Sequence, residues 1–140
     1  MSEIETTTTI HAPLERIWGI LTDVSAYPEW DPSCERIVGS VSLAAKLEVF
    51  STLAPGRGFF VRVTELVPNE LMTWSGGLPL GLLKGVRTFS LRETGAGAIT
   101  FTLREVLRGP MLKVFRRHLP DMTEPFDKFA RGLKDRAECG

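Results

Sequence analysis

The strongest constraint on this chain is a run of six strand-like segments between residues 36 and 108, joined by short links. Arg36–Val41, Lys46–Thr52, Phe59–Val67, Glu70–Ser75, Val86–Glu93 and Ala98–Arg108 are each rich in Val, Ile, Thr, Phe or Trp. Such side chains pack well on a pleated, half-buried surface. Turn signals divide the segments: Ala54-Pro55-Gly56-Arg57-Gly58, Pro68-Asn69, the stretch 76–85, and Gly95-Ala96-Gly97. Consecutive strands with short links pair antiparallel, because a parallel return needs a long crossover. Such a sheet buries one face, and some other element must cover that face.

The cover lies beyond Gly109-Pro110. Met111, Phe115, Leu119, Met122, Phe126, Phe129 and Leu133 recur at steps of 4, 4, 3, 4, 3 and 4, one face of a helix. The spacing predicts a long helix from Met111 to about Ala137, kinked or broken at Pro120 and Pro125, where a ring replaces an internal N–H. Upstream, the threonine-rich residues 3–11 read as a strand. Pro13 suits a first helical turn, and Ile17, Trp18, Ile20 and Leu21 place a short helix over 13–22. Residues 23–32, with Pro28 and Pro32, suggest a turn and one more short helix. The expectation is therefore one α+β domain over 1–140: a curved seven-stranded antiparallel sheet around a long C-terminal helix, with two short helices after the first strand. The space between sheet and helix can be filled as core or left open in part, and a ligand cavity is expected there.

The bulk composition narrows the function. Seventeen basic residues balance seventeen acidic ones, so no overall field favours nucleic acid, and no nucleic-acid partner is expected. No stretch approaches the ~18 apolar residues of a membrane span, so no integral membrane association is expected. The start of the chain has neither the basic nor the apolar region of a signal peptide. Cys34 and Cys139 are distant, and the latter is penultimate. A structural disulfide is not expected, and low cysteine use fits a reducing, cytoplasmic compartment. The two histidines, His11 and His118, make no metal-ligand spacing with those cysteines. No phosphate loop, dinucleotide fingerprint or nucleophile elbow occurs, so neither a metal nor a cofactor is expected.

The last hairpin gives the sharpest inference. If its turn centres on Ala96, paired residue numbers sum to 192. Leu91 then opposes Phe101, Phe89 opposes Leu103, and Arg87 opposes Glu105. All six share one face, so an ion pair points into an apolar wall. Such a charge is costly unless paired. The pair is either a partly wetted structural salt bridge or a polar anchor for a ligand's carboxylate, carbonyl or hydroxyl. Arg87 cannot serve as a general base, which leaves Glu105 as a weak catalytic candidate.

Trp18 and Trp30 are expected to pack the short helices against the long one. Trp74 can line the inner face or cover the outer one. Phe60, Phe115, Met122 and Phe126 suit a core or a pocket wall equally. His118, with Lys113, Arg116 and Arg117, reads as a surface group, with phosphate or membrane docking as the weaker alternative. The segment 76–85 carries four leucines between glycines, unusual for a surface connection. It suggests a lid over a cavity mouth, or a partner surface.

Ile10-His11-Ala12-Pro13-Leu14-Glu15-Arg16-Ile17-Trp18, then Leu21-Thr22-Asp23 and Tyr27-Pro28-Glu29-Trp30-Asp31-Pro32, resemble the opening of the SRPBCC (START-like, helix-grip) superfamily, in its bacterial polyketide cyclase/dehydrase-type branch. The segment 63–74 is similar to its central hairpin, and 100–109 to its last strand. The resemblance spans nearly the whole chain and implies the helix-grip fold. Function is implied less narrowly, because members include lipid carriers, cyclases, quinone-binding proteins and chaperone activators. The leading expectation is a binding or carrier protein for a small apolar or amphipathic molecule of the lipid, polyketide or isoprenoid class. Its body would rest on Phe89, Leu91, Phe101, Leu103, Trp74, Phe115, Met122 and Phe126, and its polar group at Arg87 and Glu105. A cyclase or dehydratase and a protein-interaction module are the alternatives, as a monomer or a homodimer.

Overall fold

The computed structural model describes residues 2–115 and 121–139. Strand β1 (Ser2–Ile10) leads into helix α1 (Leu14–Thr22) and a 3-10 turn (Val24–Glu29). Strands β2 (Cys34–Val38), β3 (Lys46–Ser51), β4 (Gly58–Val67), β5 (Leu71–Gly77), β6 (Lys84–Gly95) and β7 (Ala98–Arg108) follow, then helices α2 (Leu112–Phe115) and α3 (Thr123–Glu138). The seven strands form one sheet in the order β1-β7-β6-β5-β4-β3-β2, every pair antiparallel. This is the expected helix-grip order. β1 closes beside the last strand rather than beside β2, which brings both chain ends to one edge.

Two boundaries differ from the sequence reading. Strand β2 stops at Val38 because the chain turns at Gly39, whose φ of 121° is open to glycine and poor for other residues. Among the described residues the apolar stripe falls on α2 and α3, with a break at residues 121–122, rather than on one helix from Met111. Pro125 does not kink α3: it is the third residue of that helix, where no intrahelical bond is asked of its nitrogen. Pro120 and His118 lie outside the described residues.

Helix α3 covers the inner face of the sheet, with Phe126, Phe129, Ala130, Leu133 and Ala137 buried. Its outer side is tied to β1 and its neighbours. Thr6 Oγ1 donates to Asp127 at 2.8 Å, Lys134 Nζ to the Thr9 carbonyl at 2.6 Å, and the His11 backbone N–H to Glu138 at 2.8 Å. Near its C-terminal end the helix comes close to the turn after α1: a Cβ added at Gly132 would lie 2.0 Å from the Trp30 carbonyl oxygen. Trp30 packs on Phe129 with ring centroids 4.8 Å apart, as expected of it.

Candidate functional site

The β6–β7 register is the expected one. Leu91 pairs with Phe101, Phe89 with Leu103 and Arg87 with Glu105, and the sum of 192 holds from Lys84 to Glu93 before a one-residue shift absorbs the turn. Period-2 alternation therefore puts Phe89, Leu91, Phe101 and Leu103 on the inner face, where all four are buried. Trp74 joins them: it lies opposite Arg87 on β5, is buried, and stands edge-on to Phe89 at 4.8 Å. Phe126 is buried on α3, and Met122, just before that helix, is half-buried against the same cluster. Phe60 is exposed and lies on the outer face beneath Lys46, 4.1 Å from its ring centroid. The Phe115 side chain lies outside the described residues.

Across this wall the strands align Trp74, Arg87, Glu105 and Ile4 in one row. Arg87 Nε meets Glu105 Oε1 at 3.3 Å, with the side chains 23% and 19% exposed. That is too wet for a core ion pair and too enclosed for an ordinary surface one. The guanidinium also sits 5.0 Å from the Phe126 ring centroid, within cation–π range. In the same row, the Trp74 indole N–H is buried without a hydrogen-bond partner among the described residues. Buried donors are nearly always paired, so this one is a free donor on the inner wall.

Sequence reasoning missed three polar groups beneath the row. Asp31 is 7% exposed, and its carboxylate accepts the Ser33 N–H at 3.1 Å. Burial raises its pKa above the ordinary carboxylate value, against the lowering pull of that bond and of the Arg87 charge. Tyr27 is buried, donates to the Leu21 carbonyl, and is pushed well above its ordinary pKa by the same loss of water. Burial, with the Asp31 and Glu35 charges, pushes the Cys34 thiol up to about 12, so it stays protonated and inert at neutral pH. Cys34 and Cys139 are both free. Tyr27 and Asp31 stand in the run Tyr27-Pro28-Glu29-Trp30-Asp31-Pro32, where nothing in hydropathy marks Asp31 as an inside residue.

Among the described residues the rings of the inner face are packed against one another. Rings of Tyr27, Trp30, Trp74, Phe89, Phe101 and Phe129 form one cluster, with neighbouring centroids 4.7 to 6.2 Å apart. Two clefts stand out among the described residues, and both are on the outside. One of about 170 Å³ lies between α1 and α3, beside Glu15, Asp23, Trp30 and Arg136. The other, about 280 Å³, lies on the outer face of the sheet beside Lys84, Thr88, Arg104, Val106 and Arg108.

The leucine-rich connection Leu78–Leu83 is held by backbone bonds within itself and to the approach of α2. The Leu78 N–H bonds the Leu83 carbonyl at 2.8 Å, and the Met111 N–H bonds the Leu82 carbonyl at 2.9 Å. A Cβ at Gly77 would lie 2.1 Å from the Leu83 carbonyl oxygen. Gly77, with φ at 139°, therefore stands where a larger residue would not fit.

Among the described residues no group of three or more His, Cys, Asp or Glu side chains could hold a metal ion, and no helix is long and apolar enough to cross a membrane. No curated protein matches the chain in sequence. The chain is similar in fold to several solved structures. A START superfamily protein from Mycobacterium smegmatis is 19% identical, with 98% of this chain and 97% of that one covered and a TM-score of 0.71. The Zhui aromatase/cyclase from Streptomyces sp. R1128 is 14% identical, with 98% and 93% covered and a TM-score of 0.74. The Aha1 dimer from Colwellia psychrerythraea is 21% identical, with 100% and 98% covered and a TM-score of 0.74. The family described as polyketide cyclase/dehydrase and lipid transport matches residues 1–138, and with that match over a sheet and helix of this order, the chain belongs to that family.

Proposed function

We propose that this protein binds or carries a small apolar or amphipathic molecule, of the lipid, polyketide or isoprenoid class, on the inner face of the cup. The observation that carries this reading is the cross-strand row of Trp74, Arg87 and Glu105. It sets a half-buried ion pair and a free indole donor on a wall that is otherwise apolar. Ligand sites of this kind combine an apolar lining with a few converging polar groups. A ligand's hydroxyl, carbonyl or carboxylate would meet the row, and its body would lie on Phe89, Leu91, Phe101 and Leu103. Because those rings are packed together, the ligand has to displace side chains, and Met122 and Phe126 at the start of α3 flank the row. Phe115 stays in the proposed wall on the sequence pattern alone.

Native mass spectrometry of the protein from its own host, with lipid extraction, tests the proposal. A reproducible small apolar adduct that weakens in Arg87→Met supports it. A protein without adduct that forms a stable dimer points to an interaction module instead.

One observation favours a second reading, a cyclase- or dehydratase-like enzyme. Asp31 is a buried carboxyl whose pKa is raised by that burial, the direction of shift that favours a general acid. Under that reading Asp31→Asn abolishes turnover of a reactive polyketide chain while ligand affinity persists, and Glu105→Gln tests the weaker candidate in the same way. Turnover unchanged in both variants removes it.

A further inference from the structure

The end of the cup where β5 turns into β6 and β7 exits toward α2 carries an apolar tip. Leu80 is 96% exposed and holds φ at 61°, a left-handed conformation that disfavours residues with a Cβ. Glycine or asparagine usually stands at such a position. Leu78, Leu82 and Val114 are also exposed, and the bond from the Met111 N–H to the Leu82 carbonyl holds the α2 approach against the loop. The tip is therefore a fixed apolar projection.

Its surroundings are basic. Lys84 and Arg108 lie directly opposite each other at the ends of β6 and β7. Like charges in that position repel, and neither forms an ion pair among the described residues. Both line the 280 Å³ outer cleft together with Thr88 and Arg104. Arg104 is engaged by Glu3 at 2.9 Å, and Arg108 adds its charge near that glutamate. Lys113 is exposed beside Val114. An anion between Lys84 and Arg108 would relieve their repulsion.

We propose that this end docks on an anionic phospholipid bilayer, with Leu80 in the interfacial apolar zone and headgroup phosphates against Lys84, Arg108 and Lys113. Amphipathic projections with basic flanks bind membranes in this way. A second copy of the chain fits less well, because a two-fold contact through the tip would set the same basic residues against each other. Docking goes beyond ligand capture: it uses the outer rim, whereas the ligand reading uses the inner wall, so each can fail without the other.

The test is co-sedimentation of the full chain with vesicles of phosphatidylcholine, alone or mixed with phosphatidylglycerol. Retention is expected on the mixed vesicles and not on the neutral ones, and it falls as salt rises. Leu80→Gly removes the apolar tip while relieving its backbone conformation. It should leave the melting temperature equal or higher and lower retention about tenfold. Lys84→Glu should lower retention by about tenfold or more. Leu43→Gly, on an exposed leucine between β2 and β3 at the other end of the sheet, should change nothing. No retention on phosphatidylglycerol overturns the proposal, as does retention indifferent to both Leu80→Gly and Lys84→Glu. A dimer abolished by Leu80→Gly, without vesicle binding, replaces the membrane with a second copy.

Discussion

The two halves of the inner wall are built on opposite terms. Around Phe89, Phe101, Leu103 and Phe129 it is dry, with rings in contact and almost no exposure. A few residues along the same strands, at Arg87 and Glu105, it holds charges that are neither buried nor free. One sheet thus supports a dry region whose substitution costs stability and a half-wet region that the proposed function assigns to recognition. The alternation of strand residues makes the two adjacent without mixing them.

The largest expected effect lies in the dry half. Phe89→Ala should destabilise by about 3–5 kcal/mol, through lost transfer energy and the cavity left behind, read as a lowered urea midpoint. Glu105→Ala should cost less, about 1–2 kcal/mol, because a full buried-pair penalty of ~3–5 kcal/mol requires both charges to be cut off from water. Equal losses in the two variants would erase the distinction between the halves. The smallest effect is at Asp31. Its folded-state pKa is raised above the ordinary 3.8, so the folded protein holds this proton more tightly than the unfolded chain. The ionised carboxylate therefore costs the fold stability at neutral pH, and that cost fades as the pH falls through the raised value toward 3.8. Asp31→Asn should give a small rise in melting temperature at pH 7 that disappears below about pH 4. A drop at pH 7 would mean that the attraction to Arg87 outweighs burial.

The register of Arg87 against Glu105 was readable from sequence because a hairpin offers few choices. A one-residue slip would turn Phe89, Leu91, Phe101 and Leu103 to the wrong face. The packing of the described rings against one another was not readable. The same Phe and Trp pattern serves a core or a pocket wall, and only the placement of the 3-10 turn brings Tyr27 and Trp30 into the ring cluster. Asp31 rides on that turn, and its burial follows from tertiary position rather than from any local preference. The start of α3 was hidden for a related reason: the apolar stripe runs through both helices, and a proline compatible with a first turn reads in sequence as an interruption.

The close contact of Gly132 with the Trp30 carbonyl sets the mechanics of the grip. With the Lys134 and Glu138 bonds to the end of β1 and to His11, it clamps the C-terminal half of α3 like the fixed end of a cantilever. A beam held in that way deflects at its far tip. The Thr6 bond to Asp127 carries the hold toward the other end, so the first turn of α3, with Met122 and Phe126, is the part that lies beyond these bonds, next to the ion pair.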